Sequence, residues 1–304
     1  MNNISTIAIF RERSHSPERE YDDEAILRET ARKLASSGSI DVCLLSPEEF
    51  LEAHFDIQPA LIFFMCEEAP YLARLREMAE NTGCLLVNTV EAVENTFRKN
   101  MVAALKNQVF FPATSIHSIS DALPSIHVPC WLKRGDYHAI DRDDVVFVRD
   151  IQSAQNALNG FASRDIGTVL IQEHVPGDII KFYCIRDCQA GHTWWFKWFY
   201  HRDQDLQYHD FSADELMISC MKAGDIMGLD IYGGDAIVNN DGRIFIIDIN
   251  AWPSFALYRE EAAGFIARLI KTKLAKCLGA SMHSKSGAKS ISGLSDDSAV
   301  PGIT

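Results

Sequence analysis

The chain has 304 residues, 47% of them hydrophobic and 23% charged, with a formal net charge of −13. This is a globular composition, long enough for one large domain or two modest ones. The acidic balance excludes general binding to nucleic acid or an anionic membrane surface, while leaving room for a local basic cleft.

No apolar run approaches the roughly 20 residues that span a bilayer, and the start MNNISTIAIFRERSH lacks a signal-peptide core. The eight cysteines show neither a CxxC pair nor a finger spacing, as expected of apolar thiols in a reducing cytoplasm. A cytoplasmic protein is the expectation.

The first hundred residues alternate between short apolar strands and helices. STIAIF leads into a charged helix from about Glu18 to Ser37, and DVCLL into the short helix PEEFLEAHF. ALIFFMC precedes a helix from about Pro70 to Asn81, and CLLVNT precedes one from about Val90 to Lys106. Continuous apolar strands separated by helices indicate an open parallel sheet covered on both faces. The predicted first domain is 1–90.

The rhythm then changes. FFPATSI, PCWLKR, DVVFVRD, TVLIQEHV and DIIKFYCIR read as strands, with one clear helix from about Ile151 to Ser163. The aromatic strand HTWWFKWFYH, a helix from about Ser212 to Met227, a hairpin and a helix from about Tyr258 to Leu278 follow. This second part predicts α+β structure with antiparallel pairing, divided near residue 180 into units 91–180 and 181–280. The Ser/Gly-rich residues 281–304 predict a disordered tail.

The hairpin GGDAIVNNDGRIFIIDINAWPSF, from Gly233 to Phe255, carries the strongest chemical signal. A turn at Asn239-Asn240-Asp241-Gly242 folds Asp235 back toward Asp248, and Asp248 and Asn250, two apart, share a face. Two carboxylates and an amide oxygen suit a hard cation such as magnesium; strand-end acids facing solvent are the plain alternative. Lys133 ends an apolar strand before a glycine turn, and Lys181 lies inside DIIKFYCI. A lysine on a half-buried strand needs an anion or a solvent path. In IQEHVPGD a strand leaves its sheet through Pro-Gly and exposes backbone donors and acceptors, while its carboxylates can accept from hydroxyls. Lys197 and Arg202 lie on and after the aromatic strand, which also reads simply as core.

In this order the elements resemble the ATP-grasp superfamily from about residue 5 to 278. The resemblance implies an open parallel α/β domain followed by two α+β subdomains that clasp ATP. It implies that Lys133 contacts the α- and β-phosphates and that Lys181 is the basic residue of the next strand. It makes Lys197 and Arg202 candidate γ-phosphate contacts. Lys99 matches a basic residue opening the helix before the entry strand Phe111-Pro112-Ala113-Thr114, with Arg98 as its rival. Gln172, Glu173 and Val175 fall on the hinge that reads the adenine edge, and Asp178 on the ribose hydroxyls. Asp235, Asp248 and Asn250 match the metal triad, implying ATP and magnesium (two ions, with manganese as a substitute).

Three features depart from the family pattern. Asp248 stands where many relatives carry Glu, Gly233 where peptide ligases often place an arginine, and the phosphate loop is reduced to Arg134-Gly135-Asp136-Tyr137-His138. The implied activity is ATP-dependent ligation of a carboxylate to an amine or thiol through an acyl phosphate. Alternatives are a kinase of a small polyol or inositol phosphate, which the QEHV…KFY run and His138 also resemble, and a non-catalytic nucleotide-binding regulator. The expected partner is a small carboxylate or polyol acceptor, with no nucleic acid or membrane, and homodimerisation left open.

Overall fold

The computed structural model describes residues 3–16, 19–121, 126–136, 141–187 and 193–287. The first strand, β1 (Ile4–Ile9), is followed by α1 (Glu20–Ala35), β2 (Ile40–Leu45), α2 (Pro47–Glu52), β3 (Leu61–Phe64), α3 (Ala69–Thr82) and β4 (Leu85–Val87). The strands form a wholly parallel sheet in the order β2-β1-β3-β4. Alternation explains why they read as continuous apolar runs. Ile7, Ile9, Ile62 and Phe64 enter one core while Ala8, Leu61 and Phe63 enter the other, so neither face meets water. Ser46 begins α2 with a capping box to Glu49, a local device legible in SPEE.

The predicted helix Val90–Lys106 is two helices, α4 (Val90–Asn95) and α5 (Arg98–Leu105). The Thr96 hydroxyl donates to the Val93 carbonyl and the Asn100 side-chain amide to that of Glu94, ending α4 with side-chain donors. Phe97 then turns extended as the cap of α5.

The second sheet is antiparallel, ordered β5-β8-β6-β7, from β5 (Thr114–Ser118), β6 (Cys130–Arg134), β7 (Val145–Val148) and β8 (Thr168–Glu173). The entry strand is shorter than FFPATSI suggests, since Pro112 has no amide proton to pair. With α6 (Ile151–Ser163) this sheet encloses its own small core, including Leu132, Val148, Leu158 and Phe161.

The third sheet, ordered β10-β9-β11-β12, comprises β9 (Asp178–Asp187), β10 (Thr193–Tyr200), β11 (Ile231–Val238) and β12 (Ile244–Ala251), all antiparallel. Between them lies α7 (Ala213–Met227), and α8 (Arg259–Gly287) follows. The last helix thus runs beyond the predicted Leu278 and includes the start of the stretch expected to be disordered. Both cores of the parallel sheet continue into the third: Phe182, Cys184 and Tyr232 join one, Ile185 and Trp252 the other. Among the described residues no cysteine is in a disulfide, and no helix is long and apolar enough to cross a membrane.

Candidate nucleotide and metal site

Strand register assembles the site. Asp248 on β12 lies opposite Asp235 on β11, which lies opposite Lys181 on β9, which lies opposite Phe199 on β10. The adjacent row on the same face is Asn250, Gly233, Tyr183 and Lys197. The turn expected between the two strands is present, with Gly242 at φ +74° and its amide donating to the Asn239 carbonyl. The two acids and the amide oxygen therefore meet as the hairpin spacing requires, and Lys181 Nζ stands 2.8 Å from Asp235 Oδ1.

Two more cations reach this face from elsewhere. Lys133 Nζ, from the second sheet, donates to the Ile247 carbonyl at 3.0 Å, where a bulge interrupts the β11–β12 register after Asp235. Burial lowers its pKa to about 8; attraction to Asp248 works against that shift, and repulsion from Arg98 adds to it. Arg98, at the first position of α5, is 1% exposed and brings Nη2 to 3.8 Å from Asp248 Oδ2. Its Nε and Nη1 are buried with no hydrogen-bond partner among the described residues, a costly state for a guanidinium that an anion would relieve.

Arg98 and Lys99, rivals in the sequence, are placed differently: Arg98 is buried and Lys99 is exposed. The Lys99 backbone amide donates to the Gly135 carbonyl at 2.9 Å. The helix break at Phe97 sets the phase that turns Arg98 inward.

A cavity of about 170 Å³ lies between the second and third sheets, lined by Trp131, Lys133, Gln172, Glu173, Val175 and Ile247 among others. Its floor is apolar, with Val175 packed on Ile237, Phe245, Ile179 and Ile247. Trp131 Nε1 donates to His174 Nδ1 at 3.2 Å, and burial lowers the His174 pKa. Flat aromatic and branched aliphatic walls around a few polar edges suit a heterocyclic base. The sequence reading named Gln172, Glu173 and Val175 here, but missed Trp131 and Ile247, whose apolar character signals nothing but core.

Several candidate residues are engaged within the protein. Gln172 Nε2 donates to Thr114 Oγ1, and Glu173 Oε1 accepts the Ala113 amide at 2.8 Å, so that oxygen braces the entry strand. Asp178, the ribose candidate, is likewise engaged. Its two oxygens accept the backbone amides of Gln207 and His209 at 2.7 and 2.8 Å, and the side chain is buried in tying down the loop after β10. Arg202 is exposed in that loop, beyond the end of β10 and off both rows. Lys197 pairs with Glu261 at 3.3 Å and lies over the Tyr258 ring. Tyr137 and His138 lie outside the described residues.

The departure at Gly233 has a steric cause. A Cβ there would stand 2.7 Å from the Phe182 carbonyl oxygen, 2.9 Å from Tyr183 Cδ1 and 3.0 Å from Pro253 Cγ. Tyr183 and Pro253 occupy the space a side chain would need.

The donors fit a magnesium ion. Asp235, Asp248 and Asn250 offer hard oxygen ligands, and Asp248 Oδ1 is buried without a hydrogen-bond partner among the described residues. No group of three or more His, Cys, Asp or Glu suited to a metal occurs among the described residues. Two carboxylates and an amide would leave coordination positions for phosphate oxygens, as magnesium sites at nucleotides commonly do.

The arrangement of the three sheets is a fold shared with solved D-alanine–D-alanine ligases. The chain is similar to the D-alanine–D-alanine ligase of Coxiella burnetii, with a TM-score of 0.69, 11% identity, and coverage of 94% of this chain and 99% of that one. It is similar also to the D-alanyl-alanine synthetase A of Vibrio cholerae (TM-score 0.66, 13% identity, 90% and 99% covered). The D-alanine–D-alanine ligase of Bacillus anthracis, solved in complex with ATP, gives a TM-score of 0.65 at 12% identity, with 93% and 100% covered. No protein-family model and no curated protein matches the chain.

Proposed function

We propose that this protein is an ATP- and magnesium-dependent ligase that joins a carboxylate to an amine through an acyl phosphate. One observation carries the reading: three cations, Lys133, Lys181 and Arg98, converge with Asp235, Asp248 and Asn250 at one end of a base-sized cavity between two antiparallel sheets. The likeness to solved ligases, one of them in complex with ATP, supports the same class. In this reading the parallel sheet is the N-terminal domain, the second sheet the small subdomain and the third the large one, with ATP between the last two.

The base enters the cavity of Trp131, His174, Val175 and Ile247. Lys133 and Lys181 neutralise phosphate oxygens, and Arg98, with two nitrogens unpartnered among the described residues, takes the place at the transferring group that Gly233 cannot fill. Asp235, Asp248 and Asn250 would hold magnesium, which when bound supplies charge neutralisation across the phosphates. The γ-phosphoryl group passes to a carboxylate oxygen and ADP departs. The amine nitrogen then attacks the acyl carbon, inorganic phosphate leaves, and the nitrogen gives up its proton. Positioning and electrostatics supply the rate; no nucleophilic side chain is required.

Release of ADP and phosphate, measured against pooled amino acids, small carboxylates and inositol phosphates, tests this. Amine-dependent release of both is the expected result. ADP without free phosphate identifies a kinase, and ATP binding without turnover a regulator; either overturns the ligase reading.

A further inference from the structure

The two strands that carry the metal-binding side chains are held at their open end by residues of the parallel sheet. Asn88, just after β4, is 1% exposed. Its Oδ1 accepts the amides of Asp230 and Ile231 at 2.8 and 2.9 Å, and its Nδ2 donates to the Ile231 carbonyl at 2.8 Å. Ile231 begins β11, four positions before Asp235, and Asp230 directly precedes it. Arg11, just after β1, grips the other strand. Its Nη2 donates to the carbonyls of Ala251 and Trp252 at 3.2 and 2.8 Å, the two residues that follow Asn250.

Arg11 is itself fixed. Nε pairs with Asp23 at 3.2 Å and Nη1 with Glu67, and Ser16 Oγ donates to Asp23 at 2.5 Å. Both carboxylates belong to the parallel-sheet unit, so the guanidinium plane is set before it meets β12. A planar fork with donors on several edges can bind two acids and two carbonyls at once; an ammonium cannot span that set.

The held segment is strained. Trp252 is 1% exposed and sits at φ +42°, a region bulky residues rarely adopt. Such a conformation persists only where the surroundings over-determine it. Here three contacts do so: Arg11 on its carbonyl, the Ile231 carbonyl on its amide at 3.1 Å, and Phe63 of β3 stacked on its ring at 5.9 Å. Strain two residues from a metal ligand, braced by a charged fork, is the pattern of a pre-organised site.

We infer that Arg11 and Asn88 are positioning residues for the metal site, clamping β12 and β11 so that Asn250 and Asp235 meet a divalent cation at a set spacing. The inference rests on the proposed magnesium–nucleotide reading and extends it to two side chains that touch neither nucleotide nor metal. It follows that metal affinity depends on the parallel-sheet unit, which carries none of the ligands.

Manganese titration of the ADP-bound protein, followed by electron paramagnetic resonance, tests this without turnover. Arg11→Lys keeps the charge beside Asp23 and Glu67 but not the fork; Asn88→Ala changes no charge. Each is expected to weaken manganese binding about tenfold, the scale on which outer-sphere partners tune a metal site. Leu27→Ala, in the core of α1, lowers the melting temperature of the same unit and is expected to leave manganese affinity within about twofold. Wild-type affinity in both clamp variants, or an equal loss in Leu27→Ala, overturns the inference alone. A wild-type protein that binds no manganese with ADP overturns the nucleotide reading and the inference with it.

Discussion

Asp235 and Asp248 face each other across the β11–β12 pair, two like charges at directly opposed positions. Such a pair destabilises an ordinary sheet. Lys181 at 2.8 Å from the first and Arg98 at 3.8 Å from the second offset part of the repulsion. With Lys133 buried close by, the cluster has one more cation than acid, a balance that favours a polyphosphate carrying its own metal.

Removing one ligand should therefore separate nucleotide binding from catalysis. Asp248→Ala is expected to lower ATP turnover by about 10²–10³-fold, the usual effect of losing an electrostatic contact to transferring charge. The rise in melting temperature that magnesium adds to ATP should vanish as well. Steady-state kinetics and thermal melts with ATP, with and without magnesium, measure the two effects.

Arg98→Met should lose turnover with only a modest change in stability. The variant removes a buried guanidinium with two nitrogens that lack a partner among the described residues, which relieves an unsatisfied group. It also takes one of the two cations beside Asp248 and leaves Lys133. The two effects oppose each other, and the net change is expected within about 2 kcal/mol. Urea unfolding should show that small change alongside a loss of turnover at least tenfold greater than Lys99→Met produces. The reverse ranking would restore Lys99 to the site.

Lys133 gives a pH signature. Its folded pKa of about 8 lies below the ordinary 10.5 because burial disfavours the ammonium. Between those values the unfolded chain binds the extra proton, so the ligand-free protein gains stability as pH rises from about 8 toward 10.5. ATP prefers the charged lysine, so its affinity should be level below pH 8 and fall above it. Calorimetric titration from pH 6.5 to 9.5 should show this fall, and Lys133→Met should flatten it.

Gly233→Ala should be disruptive out of proportion to one methyl group. The new Cβ would meet backbone, the Phe182 carbonyl oxygen at 2.7 Å, so relief requires the strands to separate. A loss of about 1–3 kcal/mol is expected, read as a lower urea midpoint.

Asp178→Ala should be costly to the fold and mild for the nucleotide. It leaves the amides of Gln207 and His209 without their carboxylate acceptor, a loss of about 1–3 kcal/mol. The KM for ATP should stay within about threefold of wild type; a rise of tenfold or more would return Asp178 to the ribose.

What could be read from the residues alone was whatever a few neighbouring bonds dictate. Asp235, Asp248 and Asn250 were legible because a hairpin sets its own register and strand alternation sets the face. The strands of the parallel sheet were legible because burial on both faces leaves continuous apolar runs. Lys133 and Lys181 stood out as charges in apolar strands, although nothing local says that they meet.

Other features waited on tertiary structure, since each depends on groups far apart in the chain. Arg98 and Lys99 are adjacent, and only the break between α4 and α5 decides which faces Asp248. Asp178 looks free until the loop after β10 brings two amides to it. Gly233 looks like a lost arginine until Tyr183 and Pro253 are seen to close over it. Arg11 and Asn88 carry no motif, yet they hold the ends of the β11–β12 hairpin from about 240 and 140 residues away. Local hydrogen-bond geometry repeats along a strand and leaves a periodic trace; close approach between distant segments has no period, so only the packed chain decides it.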